Sequence, residues 1–132
     1  MVSHYKELII WQKSMTLATM IYRVTQSFPA SERYGLSNQM RRAAVSVPSN
    51  IAEGQARQTS TEFNQFLSIA NGSLAELETQ IILSQNLSYV TEVQSSELLS
   101  LLGEVVRMIR ALKAKLPIKS SRPTTNYKST TT

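Results

Sequence analysis

Apolar side chains recur at alternating spacings of four and three residues over two long stretches in the second half of the chain. The first set is Phe63, Leu67, Ala70, Leu74, Leu77 and Ile81, and the second is Leu98, Leu102, Val105, Ile109, Leu112 and Leu116. This spacing places each set along one face of an α-helix, as in the seam between packed helices. The chain is therefore restricted to folds in which long helices bury apolar stripes against one another.

Four helices are predicted, over residues of about 8–27, 36–56, 60–89 and 92–115. The third and fourth have start signals, because Thr59 and Thr91 each precede a Glu or Gln by three residues, as in a capping box. Residues 1–116 are expected to form one all-α domain. Residues 117–132, which are rich in Ser and Thr and carry three basic residues, are expected to be a disordered basic tail.

The second predicted helix combines many small residues with one proline. Pro48 has no N–H group and clashes with the preceding turn, yet the apolar spacing continues to Ile51. We therefore predict one kinked helix. Gly72 in the third helix is expected to permit a close helix crossing against Ala43 and Ala44.

A polar stripe runs down the second helix and is formed by Gln39, Arg42, Ser46, Ser49 and Glu53. One interpretation is a solvated face or a network of inter-helix salt bridges. The other is an anion-contacting surface centred on Arg41 and Arg42. Glu53 and Arg57 are four residues apart and can pair with each other.

The formal charge of +5 is unevenly distributed. Residues 59–96 carry four Glu and no basic residue, whereas residues 97–116 carry four basic residues against two Glu. Glu76 and Glu78 are expected to pair with arginines of a neighbouring helix. The basic regions can also contact a polyanion.

The composition includes few of the residue types that commonly act in catalysis. The sequence has no Asp, no Cys and a single His, His4, near the N-terminus. General-base, nucleophilic and metal-binding chemistry would depend on other residue types. We predict no catalytic residue, no metal site and no cofactor. No apolar run approaches the ~20 residues of a membrane span, and the lack of cysteine favours an intracellular compartment, so we expect a cytoplasmic protein.

The fourth predicted helix is apolar over more than its seam. The additional apolar residues are Leu99, Leu101, Val106 and Met108. A helix with this composition in a small protein is expected to bury a second face. We predict that these four residues form the interface of a homo-oligomer.

Several motifs resemble those of a known family. They are Trp11-Gln12-Lys13, the run RRAAVSVPSNIAEG from Arg41 to Gly54, Glu62-Phe63 with Phe66-Leu67, and the segment from Gly72 to Gln80. Over about residues 5–116 the chain resembles the four-helix-bundle proteins encoded in 23S rRNA intervening sequences. The resemblance implies an antiparallel, up-and-down, left-handed bundle that assembles into a homopentamer and has no assigned catalytic residue. It also implies kinship with the accessory variability determinants of diversity-generating retroelements, basic pentamers that work with a reverse transcriptase and its nucleic acid.

These observations predict a non-enzymatic oligomeric bundle that binds nucleic acid, either rRNA or another structured RNA or DNA, mainly through phosphate contacts. The expected contacts are Arg41, Arg42, Arg57, Arg107, Arg110, Lys113, Lys115 and Lys119. The alternative is a scaffold or protein-interaction bundle with no nucleic-acid role. An enzyme built on Ser, Glu and Arg is a third hypothesis, and it requires Glu53 to be buried in a pocket.

Overall fold

A computed structural model describes residues 4–118 of the chain. It contains four long helices: α1 is Ile9–Thr25, α2 is Leu36–Gln55, α3 is Ser60–Asn86 and α4 is Glu92–Lys115. Short 3-10 turns, Tyr5–Glu7 and Ala30–Glu32, precede α1 and α2, and no strand occurs within residues 4–118. The predicted all-α class is confirmed.

The helices pack in chain order around one core. Helix α1 contacts α2 and α4, and α3 also contacts α2 and α4. Because short connections join consecutive helices, neighbours run antiparallel and the chain forms a four-helix bundle. The lower end of the bundle contains the starts of α1 and α3 and the ends of α2 and α4, and the upper end contains their opposite termini.

The predicted seams supply much of the core. Their buried members are Leu67, Ala70, Leu74, Leu77 and Ile81 in α3, and Leu98, Leu102, Val105 and Ile109 in α4. Phe63, Leu112 and Leu116 are half-buried at the margin of this core. Burying one Leu, Ile or Val side chain stabilises the fold by about 1.5–3 kcal/mol, so the two seams account for much of the driving force.

Helix α2 continues through Pro48, as predicted, and Pro48 is buried. Because proline has no N–H, the carbonyl of Ala44 lacks its usual intrahelical donor, which costs about 3 kcal/mol in a regular helix. Val47 and Ile51, on either side of the proline, are fully buried. Core packing on both sides therefore holds the helix together across the lost hydrogen bond.

The predicted close crossing at Gly72 is wrong. Gly72 is exposed, and a Cβ atom built on it would meet nothing within 4 Å. The close approach lies at Gly54, where a Cβ would be 2.8 Å from atoms of Phe63 and Phe66. The missing side chain thus allows the last turn of α2 to pass the first turns of α3.

Side-chain caps start both α3 and α4. The Thr59 hydroxyl accepts a hydrogen bond from the Glu62 N–H at 3.1 Å. The Thr91 hydroxyl accepts from the Gln94 N–H at 3.0 Å, and the Gln94 side chain accepts from the Thr91 N–H at 2.8 Å. Both start signals are confirmed, and α4 has the complete capping box.

Helix α3 ends at Asn86, earlier than the sequence predicts. Ser88 adopts a φ of 63°, and the Tyr89 N–H donates to the Ser84 carbonyl at 2.8 Å. The Ser88 N–H donates to the Gln85 carbonyl at 2.9 Å, which completes a Schellman motif. Glycine is the usual residue in this left-handed position, so a serine gives no visible stop signal.

Candidate functional site

Four basic side chains follow one another along the last turns of α4. Arg107, Arg110 and Lys115 are exposed, while Lys113 is half-buried and its ammonium group donates to the Ser68 hydroxyl of α3. None of the four has a carboxylate partner within residues 4–118. These four residues are named the α4 basic row.

The acid nearest the row in sequence is already paired. Glu104 lies one turn before Arg107 and contacts the Lys13 ammonium of α1 at 3.0 Å. This partly exposed pair contributes about 0–1 kcal/mol to stability. Because Glu104 is the last acidic residue of α4, the positive field of the row is not cancelled from its own helix.

Arg57 also lies at the lower end, but its charge is compensated. Its guanidinium contacts the Glu53 carboxylate at 2.6 Å, as predicted from their spacing, and stacks over the Phe66 ring at 4.9 Å. Both Arg57 and Glu53 are exposed. Arg57 is therefore less available for a phosphate than the α4 basic row.

Arg41 fastens α2 to the end of α1 near the upper end. Its Nε donates to the Thr25 hydroxyl at 2.7 Å and its Nη2 donates to the Tyr22 carbonyl at 3.1 Å. Its guanidinium also lies 4.7 Å from the centre of the Tyr22 ring. The neighbouring Arg42 is exposed and forms no ion pair among the described residues.

The predicted nucleic-acid contacts form two groups. Arg42 and the last residue of α2, Gln55, are thirteen residues apart, which corresponds to about 20 Å at the helical rise, and Arg57 follows just beyond the helix end. Arg41 and Arg42 belong to the upper group, whereas Arg57 and the α4 basic row belong to the lower group. Lys119 lies outside the described residues.

The polar stripe of α2 is partly an inter-helix network and partly exposed to solvent. The Ser73 hydroxyl of α3 donates to the Ser46 hydroxyl at 2.8 Å, and the Asn50 amide donates to the same hydroxyl at 2.9 Å. The remaining members, Gln39, Arg42, Ser49 and Glu53, are exposed. Part of the stripe is thus an uncharged inter-helix network, and the rest is a solvated face.

The predicted pairing of Glu76 and Glu78 with arginines is wrong within residues 4–118. Neither forms an ion pair there, and Glu76 accepts only a long hydrogen bond of 3.4 Å from the Gln80 amide. In the described part of the chain, ion pairs join Lys13 to Glu104 and Arg57 to Glu53. The acidic charge of α3 therefore remains at the surface.

A carboxylate joins three segments at the upper end. One Glu32 oxygen accepts from the Leu36 N–H at 2.9 Å, and the other accepts from the Tyr89 hydroxyl at 2.9 Å. The Leu36 hydrogen bond and then the Tyr89 hydrogen bond lower the pKa of Glu32. The hydrogen bond to Glu32, followed by burial, raises the pKa of Tyr89. Glu32 thus ties the start of α2 to the loop before α4.

An open apolar groove of about 560 Å³ lies between α1 and α2. It is lined by Tyr5, Trp11, Met15, Ala18, Thr19, Tyr22, Val45, Pro48, Ser49 and Ala52. Met15, Tyr22 and Val45 expose about two fifths of their surface. This α1–α2 groove contains no ionisable side chain other than the two tyrosines and suits an apolar partner surface.

A polar pocket of about 420 Å³ lies at the upper end, between the end of α1 and the start of α2. It is lined by Thr25, Gln26, Phe28, Pro29, Ala30, Arg33, Ser37, Asn38 and Arg41. Of these residues, the sequence interpretation identified only Arg41 as a site residue. Arg33 lies in the connection before α2, and no pattern in the sequence distinguishes it from other surface arginines. We name this cavity the upper polar pocket.

The four residues predicted to form an oligomer interface are half-buried. Leu99, Leu101, Val106 and Met108 pack against the margin of the bundle core and expose only part of their surface. The large apolar side chains with the greatest exposure lie elsewhere: Ile9, Met15, Tyr22, Tyr34, Val45, Ile69, Ile82, Leu83, Leu87 and Val93. Contact between copies through the four predicted residues stays a prediction.

Two further properties concern the described part of the chain. Within residues 4–118, no three His or carboxylate side chains lie close enough to hold a metal ion. The same residues contain no helix with the length and apolar character needed to cross a bilayer. Glu53, which the enzymatic hypothesis requires in a buried pocket, is exposed and bound to Arg57.

Comparison with known proteins agrees with the four-helix architecture. A solved structure from Bacteroides thetaiotaomicron, a protein of unknown function from the S23 ribosomal protein family, superimposes with a TM-score of 0.72. It is 22% identical to this chain, and the match covers 80% of this chain and 98% of that one. No functionally curated protein matches the sequence. The family model described as 23S rRNA-intervening sequence protein matches residues 6–111, and the chain belongs to this family.

Proposed function

We propose that this protein is a non-enzymatic homo-oligomeric bundle that binds structured RNA or DNA mainly through phosphate contacts. The observation that carries the proposal is the α4 basic row, whose four cations have no carboxylate partner within residues 4–118. Cations that neutralise phosphates release condensed counterions, which supplies sequence-independent affinity. The family's name refers to 23S rRNA, so a 23S rRNA fragment is the first ligand to test.

The chemistry of the row favours recognition of charge and shape. Arg107 and Arg110 are three residues apart and extend from adjacent turns, where planar guanidinium groups can bind phosphate oxygens in pairs. Lys113 and Lys115 add compact ammonium charges. No aromatic residue occurs between Arg107 and Lys115 to stack on bases. Such an arrangement positions the phosphate backbone of a nucleic acid and does not recognise its base sequence.

The test is a salt titration of fluorescence anisotropy with a labelled rRNA hairpin and a duplex DNA. Arg107→Ala/Arg110→Ala is expected to weaken binding similarly for every sequence and to lower the magnitude of the salt slope by about 1 per lost phosphate contact. Lys6→Ala/Arg23→Ala is the charge-matched control, because both side chains are exposed, form no ion pair in the described chain and lie outside the predicted contacts.

Three results would argue against this proposal. An equal loss in the control variant would show that net charge alone drives binding. A loss confined to one sequence would indicate base recognition. Binding that disappeared in a 1–116 truncation would place the contacts on the tail residues Lys119, Arg122 and Lys128.

A scaffold without nucleic-acid binding is the second candidate, and the α1–α2 groove favours it. A monomeric surface rarely leaves so large an apolar concavity uncovered. Both candidate functions include self-association, and the family resemblance implies that five copies assemble. A stable oligomer that retains neither RNA nor DNA at moderate salt would favour the scaffold.

A further inference from the structure

The upper polar pocket has the charge of an anion site. Arg33 is exposed and its guanidinium has no hydrogen-bond or ion-pair partner within residues 4–118. Arg41 lines the same cavity, and no carboxylate does. Glu32, which precedes Arg33, directs its two oxygens to the Leu36 N–H and the Tyr89 hydroxyl. The pocket therefore has two positive charges and no internal counter-charge.

One of the two arginines is held in place before any ligand arrives. The Nε of Arg41 is bound to the Thr25 hydroxyl and its Nη2 to the Tyr22 carbonyl. Its Nη1 has no partner among the described atoms and keeps its donors. Because these hydrogen bonds and the contact with the Tyr22 ring fix the guanidinium, less side-chain entropy is lost on binding.

Ser37 provides a second, independent indication of a ligand. It is 93% buried, lines the pocket, and its hydroxyl has no hydrogen-bond partner within residues 4–118. Its hydroxyl oxygen is not enclosed by protein atoms, unlike the buried and unpartnered side-chain atoms of Asn71, Gln80 and Ser95, so it opens onto the pocket and can donate to a ligand there. The backbone N–H groups of Ser37 and Asn38 also find no acceptor in the described chain, because they lie in the first turn of α2.

We propose that the upper polar pocket binds one phosphate group of a phosphate ester. Arg33 and Arg41 would neutralise the phosphate, and the Ser37 hydroxyl with the free N–H groups of the first turn of α2 would donate to its oxygens. The volume of about 420 Å³ is within the range of small-ligand pockets and leaves room for the esterified group. The inference goes beyond the proposed function, because the pocket and the α4 basic row lie at opposite ends of the bundle.

The test is a two-dimensional amide NMR titration of the full chain with inorganic phosphate and with a 5′-mononucleotide. We expect saturable shifts centred on the amides of Ser37 and Asn38. Arg33→Ala and Ser37→Ala should each weaken binding by at least about tenfold. Neither change removes a side-chain hydrogen bond or ion pair within the described fold, so both variants should fold, and their amide spectra verify this. Lys6→Ala is the charge-matched control, because Lys6 is exposed, forms no ion pair in the described chain and belongs to neither proposed site, and it should bind as the wild type does.

Several outcomes would overturn the proposal: no saturable shift at Ser37 and Asn38, unchanged affinity in Arg33→Ala, or an equal loss in Lys6→Ala. A 5′-phosphorylated oligonucleotide compared with its 5′-hydroxyl form distinguishes a terminal phosphate from the internal phosphates of a polynucleotide. The result is separable from the proposed function. Arg107→Ala/Arg110→Ala should lose RNA affinity and keep the phosphate site, whereas Arg33→Ala should lose the site even if the α4 basic row binds nothing.

Discussion

Two glycines in adjacent helices have opposite surroundings. Gly54 faces Phe63 and Phe66 so closely that a methyl group would overlap them, whereas Gly72 faces open space. In the absence of a packing requirement, glycine in a helix interior is less favourable than alanine by about 1 kcal/mol. Replacing the glycine with alanine should therefore change the free energy of unfolding in opposite directions at the two positions.

We predict that Gly54→Ala destabilises the fold by about 1–3 kcal/mol, because the new methyl group must displace the Cβ of Phe66 and the ring of Phe63. Gly72→Ala is the matched control and should stabilise the monomeric fold by up to about 1 kcal/mol. Urea unfolding midpoints with unchanged m-values measure both effects. Equal effects at the two sites would contradict the packing described for Gly54.

A pH dependence is predicted from the hydrogen bonds of Glu32. Its pKa is lowered in the folded state below the ordinary value of 4.5, so its stabilising contribution is present above 4.5 and is lost as the pH falls through the folded pKa. The pKa of Tyr89 is raised above 10.0, so its contribution is present below 10.0 and is lost as the pH rises through its folded pKa.

The measurement is the unfolding midpoint of wild type and Glu32→Gln from acidic to alkaline pH. The difference in midpoint between wild type and Glu32→Gln should be greatest between pH 4.5 and pH 10.0 and should shrink on either side of that range. Tyr89→Phe should remove the alkaline loss, whereas Tyr34→Phe, which deletes an exposed hydroxyl without a partner in the described chain, should change nothing. A pH-independent difference between wild type and Glu32→Gln would refute the role of the carboxylate charge.

Helix starts and seams were predictable because they depend on local chemistry. Thr91 and Gln94 satisfy each other's backbone groups whatever the rest of the chain does, and the spacing of the α3 seam defines a buried face on any long helix. The end of α3 was not predictable, because Ser88 adopts a left-handed conformation that its residue type does not favour. The upper polar pocket was missed because it exists only where α1 and α2 meet.

The capping box of α4 gives a prediction for a whole helix. Thr91→Ala removes the acceptor of the Gln94 N–H and should cost about 1 kcal/mol in the free energy of unfolding. Ser96→Ala, at an exposed position further along α4, is the control and should be close to neutral or slightly stabilising. Thermal or urea unfolding measures both variants. A loss in Ser96→Ala as large as that in Thr91→Ala would contradict the role of the cap, because alanine favours the helix and only Thr91 forms the capping hydrogen bond.

Charged and apolar surfaces occupy separate places on the bundle. Basic side chains without a carboxylate partner within residues 4–118 lie along lower α4 and around the upper polar pocket. The acidic residues of α3 stay at the surface, and the apolar groove lies between α1 and α2. The sequence interpretation treated these charges as one site, although the antiparallel packing that the resemblance implies already places Arg42 and Arg110 at opposite ends. A partner that approaches one end therefore need not obstruct the other.

Self-association should make stability depend on protein concentration. We predict a multimer in sedimentation equilibrium and a thermal midpoint that rises with concentration. Met15→Glu places a charge in the α1–α2 groove and should shift the population toward monomer. Val93→Glu introduces the same charge at an exposed position outside that groove and is the control. A monomeric wild type at all concentrations would contradict self-association, and an intact multimer in Met15→Glu would exclude this groove as the contact.

The single tryptophan of the chain gives that groove a property of its own. Trp11 lies half-buried at its lower margin, with its ring 5.3 Å from the centre of the Tyr5 ring and steeply inclined to it. Indole emission moves to shorter wavelength when water leaves its surroundings, and no second indole contributes background. The molecule thus has a built-in optical probe at the surface most suited to an apolar neighbour. If a second copy covers the groove, the tryptophan emission of the unlabelled, unmodified protein should shift to shorter wavelength as the protein concentration is raised.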